Sequence, residues 1–199
     1  MLRLGAASLL TSVVILGSAA PAEASPLVDR ADRHGDVTVT GSTDGVDPAI
    51  VDSVDLRHVT VTRQRHGVRV VLRLKQVLEP GRWFQQVGLT SLAPGWAGSG
   101  AGQFFAAFAT PQHLGSAMAV YVEDVASEDE EGEAEPIVCR VAATKGAKVV
   151  RLVIPDRCLP TVAGELQVSS GLVDKRGDNP LNAQDELSVS RPVDLQPRR

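Results

Sequence analysis

The chain has 199 residues, a net charge of −4 at neutral pH, and 43% hydrophobic against 22% charged residues. A mildly acidic chain lacks the clustered positive surface that phosphate backbones require, so no nucleic-acid partner is expected. The length suits one ordinary domain with a core of its own, one that needs no disulfide scaffold to exist.

The first 24 residues read as a secretory signal peptide. Arg3 supplies the positive start, Leu4 to Gly17 is an uncharged apolar run, and Ala22-Glu23-Ala24 follows Pro21 with small residues at the two positions a signal peptidase reads. The run is shorter than the roughly 20 residues that span a bilayer. Cleavage before Ser25 is therefore expected to release a secreted, extracellular protein without a stable membrane anchor. Residues 25–195 are expected to form a single domain and 196–199 a tail.

From Asp36 onward the hydrophobic period is two. Val37 to Thr40 opens it, and a strand is expected over Val51 to Arg63. Within that strand Val54 and Leu56 share one parity while Val59 and Val61 share the other, which implies a β-bulge near Arg57-His58. The next strand carries Val68, Val70, Leu72 and Leu74. A four-residue connection, Gln64 to Gly67, sets Val61 opposite Val70 and Val59 opposite Leu72, with Arg63, Arg69 and Arg73 expected on the solvated face. Further strands are expected at Trp83 to Leu89, Phe104 to Thr110 and Ala117 to Val125, the last with Met118, Val120 and Val122 on one face.

Between these, Ala93 to Gly102 is too rich in Gly for regular structure, and Ser127 to Glu135 reads as an exposed acidic loop. Ile137 to Ala143 and Lys148 to Pro155 read as a hairpin centred on Lys145-Gly146, which would place Cys139 opposite Leu152. Gly164 to Val173 and Glu186 to Val193 complete the domain. Eight or nine short strands without an amphipathic helix point to an all-β fold, a two-sheet antiparallel sandwich of jelly-roll-like form, with a closed barrel as the alternative.

Cys139 and Cys158 are the only cysteines. In an exported chain an isolated pair is expected to form one disulfide, and neither a Cys-x-x-Cys nor a suitably spaced His supports a zinc site. In the hairpin register above, the pair meets only if the chain doubles back at Pro155-Asp156-Arg157, a composition that turns readily.

Two stretches carry a resemblance. Asp32-Arg33-His34-Gly35-Asp36-Val37, then Val54-Asp55-Leu56 leading into Arg57-His58 and a Val-rich hairpin, is similar to the opening of a family of uncharacterised exported proteins of actinobacteria. The run Cys139 to Pro155 followed by Cys158-Leu159-Pro160 resembles that family's second landmark. More distantly, the opening is similar to carbohydrate-binding sandwiches of the glucodextranase C-terminal and family 9 type. The resemblance covers most of residues 30–170, but the middle, Trp83 to Glu135, departs from it. It implies a secreted β-sandwich and carries no activity over.

Motifs with chemical content are few. Arg176-Gly177-Asp178 matches an integrin-type tripeptide but reads better as a polar turn. An EF-hand alignment of Asp129, Glu131 and Gly132 puts Val138 where the bidentate Glu must sit. A looser cation site involving Asp32 and Asp36, or Asp44, Asp47 and Asp52, is conceivable, but solvated loop carboxylates are the preferred reading, so no metal and no cofactor are expected. Gly98, Gly100 and Gly102 lack the Lys-Ser/Thr of a phosphate loop, and His34, His58, His66 and His113 show no ligand spacing. Exposed indoles stack on sugar faces, so Trp96, in the Gly-rich connection, and Trp83 are the candidate ligand-binding residues, with core packing the blander reading of both. The expected function is a non-catalytic secreted protein that binds extracellular or cell-envelope carbohydrate. The alternative is a structural protein contacting another exported protein.

Overall fold

A computed structural model describes residues 25–93, 103–123, 136–174 and 181–196. The expected signal peptide (residues 1–24), Trp96, the glycines at 98, 100 and 102, the acidic segment 127–135 and Arg176-Gly177-Asp178 lie outside the described residues. Twelve strands are described: β1 (Val28–Ala31), β2 (Thr38–Thr40), β3 (Leu56–Gln64), β4 (Gly67–Leu74), β5 (Trp83–Leu92), β6 (Gln103–Ala109), β7 (Met118–Glu123), β8 (Ile137–Arg140), β9 (Ala142–Gly146), β10 (Val149–Pro155), β11 (Gly164–Asp174) and β12 (Asn182–Val193). They form two sheets, β1-β3-β4-β10-β9 and β2-β12-β11-β5-β6-β7-β8, and every described ladder is antiparallel. The chain is therefore an all-β, two-sheet sandwich. It has twelve described strands rather than eight or nine; among the differences, β1 precedes the first expected strand and the 137–143 run splits in two.

Alternation builds the core. Val59, Val61, Val70, Leu72, Leu152 and Ile154 from the five-stranded sheet meet Val87, Leu89, Phe105, Leu166 and Val168 from the other, all essentially buried. Each such side chain contributes roughly 1.5–3 kcal/mol on leaving water. The expected register holds: Val61 faces Val70, Val59 faces Leu72, and the ladder shifts between Leu56 and His58. The shift turns both Leu56 and Val59 inward despite their opposite parities.

Four expectations need correction. Val51 is not in a strand. Asp47 accepts the Ala49 N–H, Pro48 has the fixed φ that suits the first helical position, and a one-turn helix, α1 (Pro48–Val51), runs into a 3₁₀ turn at Asp52–Val54. This places Val54 in a second apolar group with Leu78, Leu172, Leu181 and Ala183. Arg69 and Arg73 are exposed as expected, but Arg63 shares the inward parity of Val59 and Val61, and at the end of the ladder its guanidinium donates to the Asp194 carbonyl at 2.6 Å.

The third correction is the cysteine hairpin. β9 and β10 pair with Gly146 opposite Val149, so the turn is Ala147-Lys148 and Leu152 faces Ala143. β8 belongs to the other sheet, with Cys139 opposite Ala119. The chain changes sheets at the buried Val141, whose N–H donates to the Ala117 carbonyl. The turn at Asp156–Cys158 forms as expected, and the disulfide Cys139–Cys158 closes with Cα atoms 6.0 Å apart. It ties the two sheets together. Last, Glu186 to Val193 is only the second part of β12, which begins at Asn182, one residue after the described chain resumes.

Candidate functional site

The outer faces of the two sheets differ in chemistry. On the five-stranded sheet Arg69, Arg73 and Arg151 stand exposed. On the seven-stranded sheet a groove of about 370 Å³ runs over β5, β6, β11 and β12, and among the described residues its lining includes no charged one. That volume lies within the range of small-ligand sites.

Alternation and two glycines make the groove. Gln85, Val87 and Leu89 point inward, so Phe84, Gln86, Gly88 and Thr90 face out. Cross-strand pairing sets Gly88 between Ser169 and Phe108, and Gly171 between Gln86 and Gln184. Where those glycines sit the sheet has no side chain to fill its outer surface; glycine inside a strand often marks such a close-approach site. The result is a floor without side chains, flanked by two amides and walled by the half-buried rings of Phe84 and Phe108. The amides lie two strands apart, roughly 10 Å by the usual sheet spacing. Glu186 accepts from both Gln184 Nε2 and Gln167 Nε2, which orients Gln184 along the rim.

At its β12 end the groove continues into a second depression of about 330 Å³ that shares Asn182 and Gln184 and adds Thr38, Thr40, Asp36 and Asp185. There one carboxylate oxygen each from Asp32, Asp36 and Asp185 lie within 4.8 Å of one another. Asp185 is on the inward parity of β12 and only 3% exposed. Its Oδ2 accepts the Leu56 N–H at 2.6 Å, a donor next to the bulge where the β3–β4 register shifts. Burial pushes the Asp185 carboxyl up to about 6 despite that hydrogen bond, and the charges of Asp32 and Asp36 add to the shift. Asp32 is also raised, mainly by burial, with Asp36 and Asp55 contributing. Beneath the 32–36 loop, Asp55 is 2% exposed, pairs with Arg57 at 2.8 Å, and accepts the Gly35 N–H at 3.1 Å. Gly35 has φ +79°, a conformation that glycine adopts without strain.

Of the sequence-derived site residues, Trp83 is described and Trp96 is not. Trp83 lies on the inward parity of β5, packed against the second apolar group, with the Arg82 guanidinium 4.6 Å from its ring centre. Arg82 is in turn held by the buried Asp174. The rings that line the groove are phenylalanines instead. Asp32 and Asp36 come together as one version of the looser cation grouping had them, while Asp185 joins from 149 positions beyond Asp36 with no local mark. Gly88 and Gly171, glycines inside strand patterns, were the available signal for the groove.

Among the described residues no helix is long and apolar enough to cross a membrane. Comparison of the chain with protein-family models, with curated proteins and with solved structures gave no match. The functional reading therefore rests on the geometry above.

Proposed function

We propose that this is an exported, non-catalytic protein that binds a glycan in the groove on the outer face of the seven-stranded sheet. The observation that carries the reading is the groove's lining: amides and hydroxyls from Gln86, Thr90, Ser169, Asn182 and Gln184 beside two phenylalanine rings, without a formal charge among the described residues. Neutral sugars offer the same pairing of hydroxyl edges with apolar ring faces, and amide side chains both donate and accept. The disulfide is compatible with export, since such bonds persist in oxidising compartments.

Retention of the purified protein on insoluble polysaccharides and peptidoglycan tests this, with Gln86→Ala and Phe108→Ala as groove variants and Trp96→Ala as a separate arm. Retention lost in the groove variants supports the reading. Absence of retention by the native protein on any glycan overturns it.

A second reading has an observation of its own. Beyond the groove the same face turns apolar: Leu92, Phe104, Val120 and Val122 lead to β8, whose Val138, opposite Val120, is 61% exposed. A contiguous apolar face of this kind suits contact with another exported protein. Native protein that elutes with a protein partner from its own secreted fraction, and is released by Val138→Asp, would favour this alternative over glycan binding.

A further inference from the structure

We propose that Asp32, Asp36 and Asp185 bind one calcium ion, which clamps the 32–36 loop to β12 at the lateral edge of the sandwich. Three carboxylate oxygens within 4.8 Å of one another match the spread of ligands around calcium, whose bonds of about 2.3–2.6 Å put opposite ligands roughly 5 Å apart. Magnesium, at about 2.0–2.1 Å, draws its ligands into a tighter shell.

Clustered acidic side chains alone are common on protein surfaces, but two further features here point to a cation ligand. Asp55, almost wholly buried, turns its carboxylate against the loop between Asp32 and Asp36; Oδ2 takes the Gly35 N–H and the Arg57 guanidinium, while Oδ1 is buried without a hydrogen-bond partner among the described residues. Among the described residues Asp32 Oδ2 is also buried and without a hydrogen-bond partner, its Oδ1 accepting the adjacent Arg33 N–H. Carboxylate oxygens removed from water without donors are costly. Three carboxylates converge on this edge and a fourth, Asp55, adds its charge to theirs at Asp32, while among the described residues the Arg57 ion pair is made with Asp55 and not with the three. Oxygen-only ligands of high charge density suit a hard divalent ion.

The site is also placed to matter structurally. The Asp32 N–H donates to the Arg57 carbonyl of β3, and Asp185 accepts from Leu56 of the same strand, so the three ligands come from segments that already meet where the two sheets meet. An ion here fixes the loop that leads into β2 and, through Asp36, one wall of the second depression. The inference is independent of glycan binding.

Calorimetric titration of the EDTA-stripped full chain with CaCl₂, and separately with MgCl₂, is the test, alongside thermal scans. The expected result is one calcium per chain, preferred over magnesium by at least tenfold, with Tm rising about 5–10 °C at hundredfold excess over Kd. Asp36→Asn, at an exposed position that should not disturb folding, is expected to weaken binding at least tenfold. Asp185→Asn should abolish it, and Asp44→Asn, outside the cluster, should leave it unchanged. No binding and no Tm shift up to about 10 mM calcium, the weak end of extracellular calcium modules and beyond, overturns the proposal. Calcium binding that survives both Asp36→Asn and Asp185→Asn overturns it as well, and equal affinity for magnesium overturns the choice of ion.

Discussion

The two lateral edges of this sandwich are closed by different chemistry. At one, Cys139 on β8, the edge strand of the seven-stranded sheet, is bonded to Cys158 just beyond β10 of the other sheet. At the opposite edge β12 and β3 are joined by the Asp185 carboxylate accepting the Leu56 N–H, with Asp32 and Asp36 crowded beside it. The covalent edge is indifferent to ions and, short of reduction, to solution conditions. The carboxylate edge brings like charges together out of water, so its contribution depends on what neutralises them. One edge is stable by constitution and the other conditionally.

Breaking the covalent edge should have the larger effect. Cys139→Ala combined with Cys158→Ala removes a cross-link between residues 19 apart, and the chain-entropy estimate for a loop of that size is about 3 kcal/mol. Denaturant midpoints of the double variant against the native protein measure it. A loss below about 1 kcal/mol would mean that the Phe105 side of the core holds the sheets together unaided.

The carboxylate edge should behave with opposite signs in the two ionic states. Without calcium, Asp185→Asn is expected to stabilise the protein by about 1–2 kcal/mol at neutral pH, because it removes a buried charge from between Asp32 and Asp36 while leaving an oxygen to accept from Leu56. In saturating calcium the same substitution should destabilise, since the native chain alone gains binding energy. Parallel urea titrations in EDTA and in calcium give both signs. The same sign in both would remove the distinction between the edges.

A pH dependence follows from the same group. The folded carboxyl of Asp185 is pushed up to about 6 from 3.8, so between those values the folded state holds a proton that the unfolded state has released. The resulting stabilisation is fully present below pH 3.8 and is lost as pH rises through 6; from pH 7 down to pH 5 the metal-free protein should gain about 1 kcal/mol from this residue. The native protein minus Asp185→Asn, compared across that interval in EDTA, isolates the effect from that of every other titrating group.

The sequence makes these regions legible to different degrees. Strands, the core and the bulge at Arg57-His58 are readable because alternation is a local property, and a parity switch between Leu56 and Val59 has few structural solutions. The sheet change at Val141 is not readable, since Cys139 and Val141 keep one parity and the run continues without a break in pattern. The β9–β10 turn falls at Ala147-Lys148 although the composition of Thr144-Lys145-Gly146 favours a turn more strongly. Asp32 and Asp36 are visible as close acidic neighbours, but Asp185 reads as one charge in an alternating strand until β12 is placed beside β3. The groove has the same difficulty: Gln86, Gly171 and Gln184 become neighbours only through two ladders.

That last constellation offers the smallest effect on stability and the sharpest functional one. A Cβ built on Gly171 meets only the Ala183 carbonyl, at 3.9 Å, and the residue has no positive φ, so a larger side chain fits the backbone as it stands. Gly171→Val replaces the weakest strand former with one of the best and should raise stability by about 0.5–1 kcal/mol. Its isopropyl group would stand on the groove floor between Gln86 and Gln184, where the proposed sugar ring rests. Stability and glycan retention should therefore move in opposite directions in a single variant. A more stable Gly171→Val protein that still binds its glycan would place the binding surface elsewhere on the molecule, because loss of folding could not be the explanation.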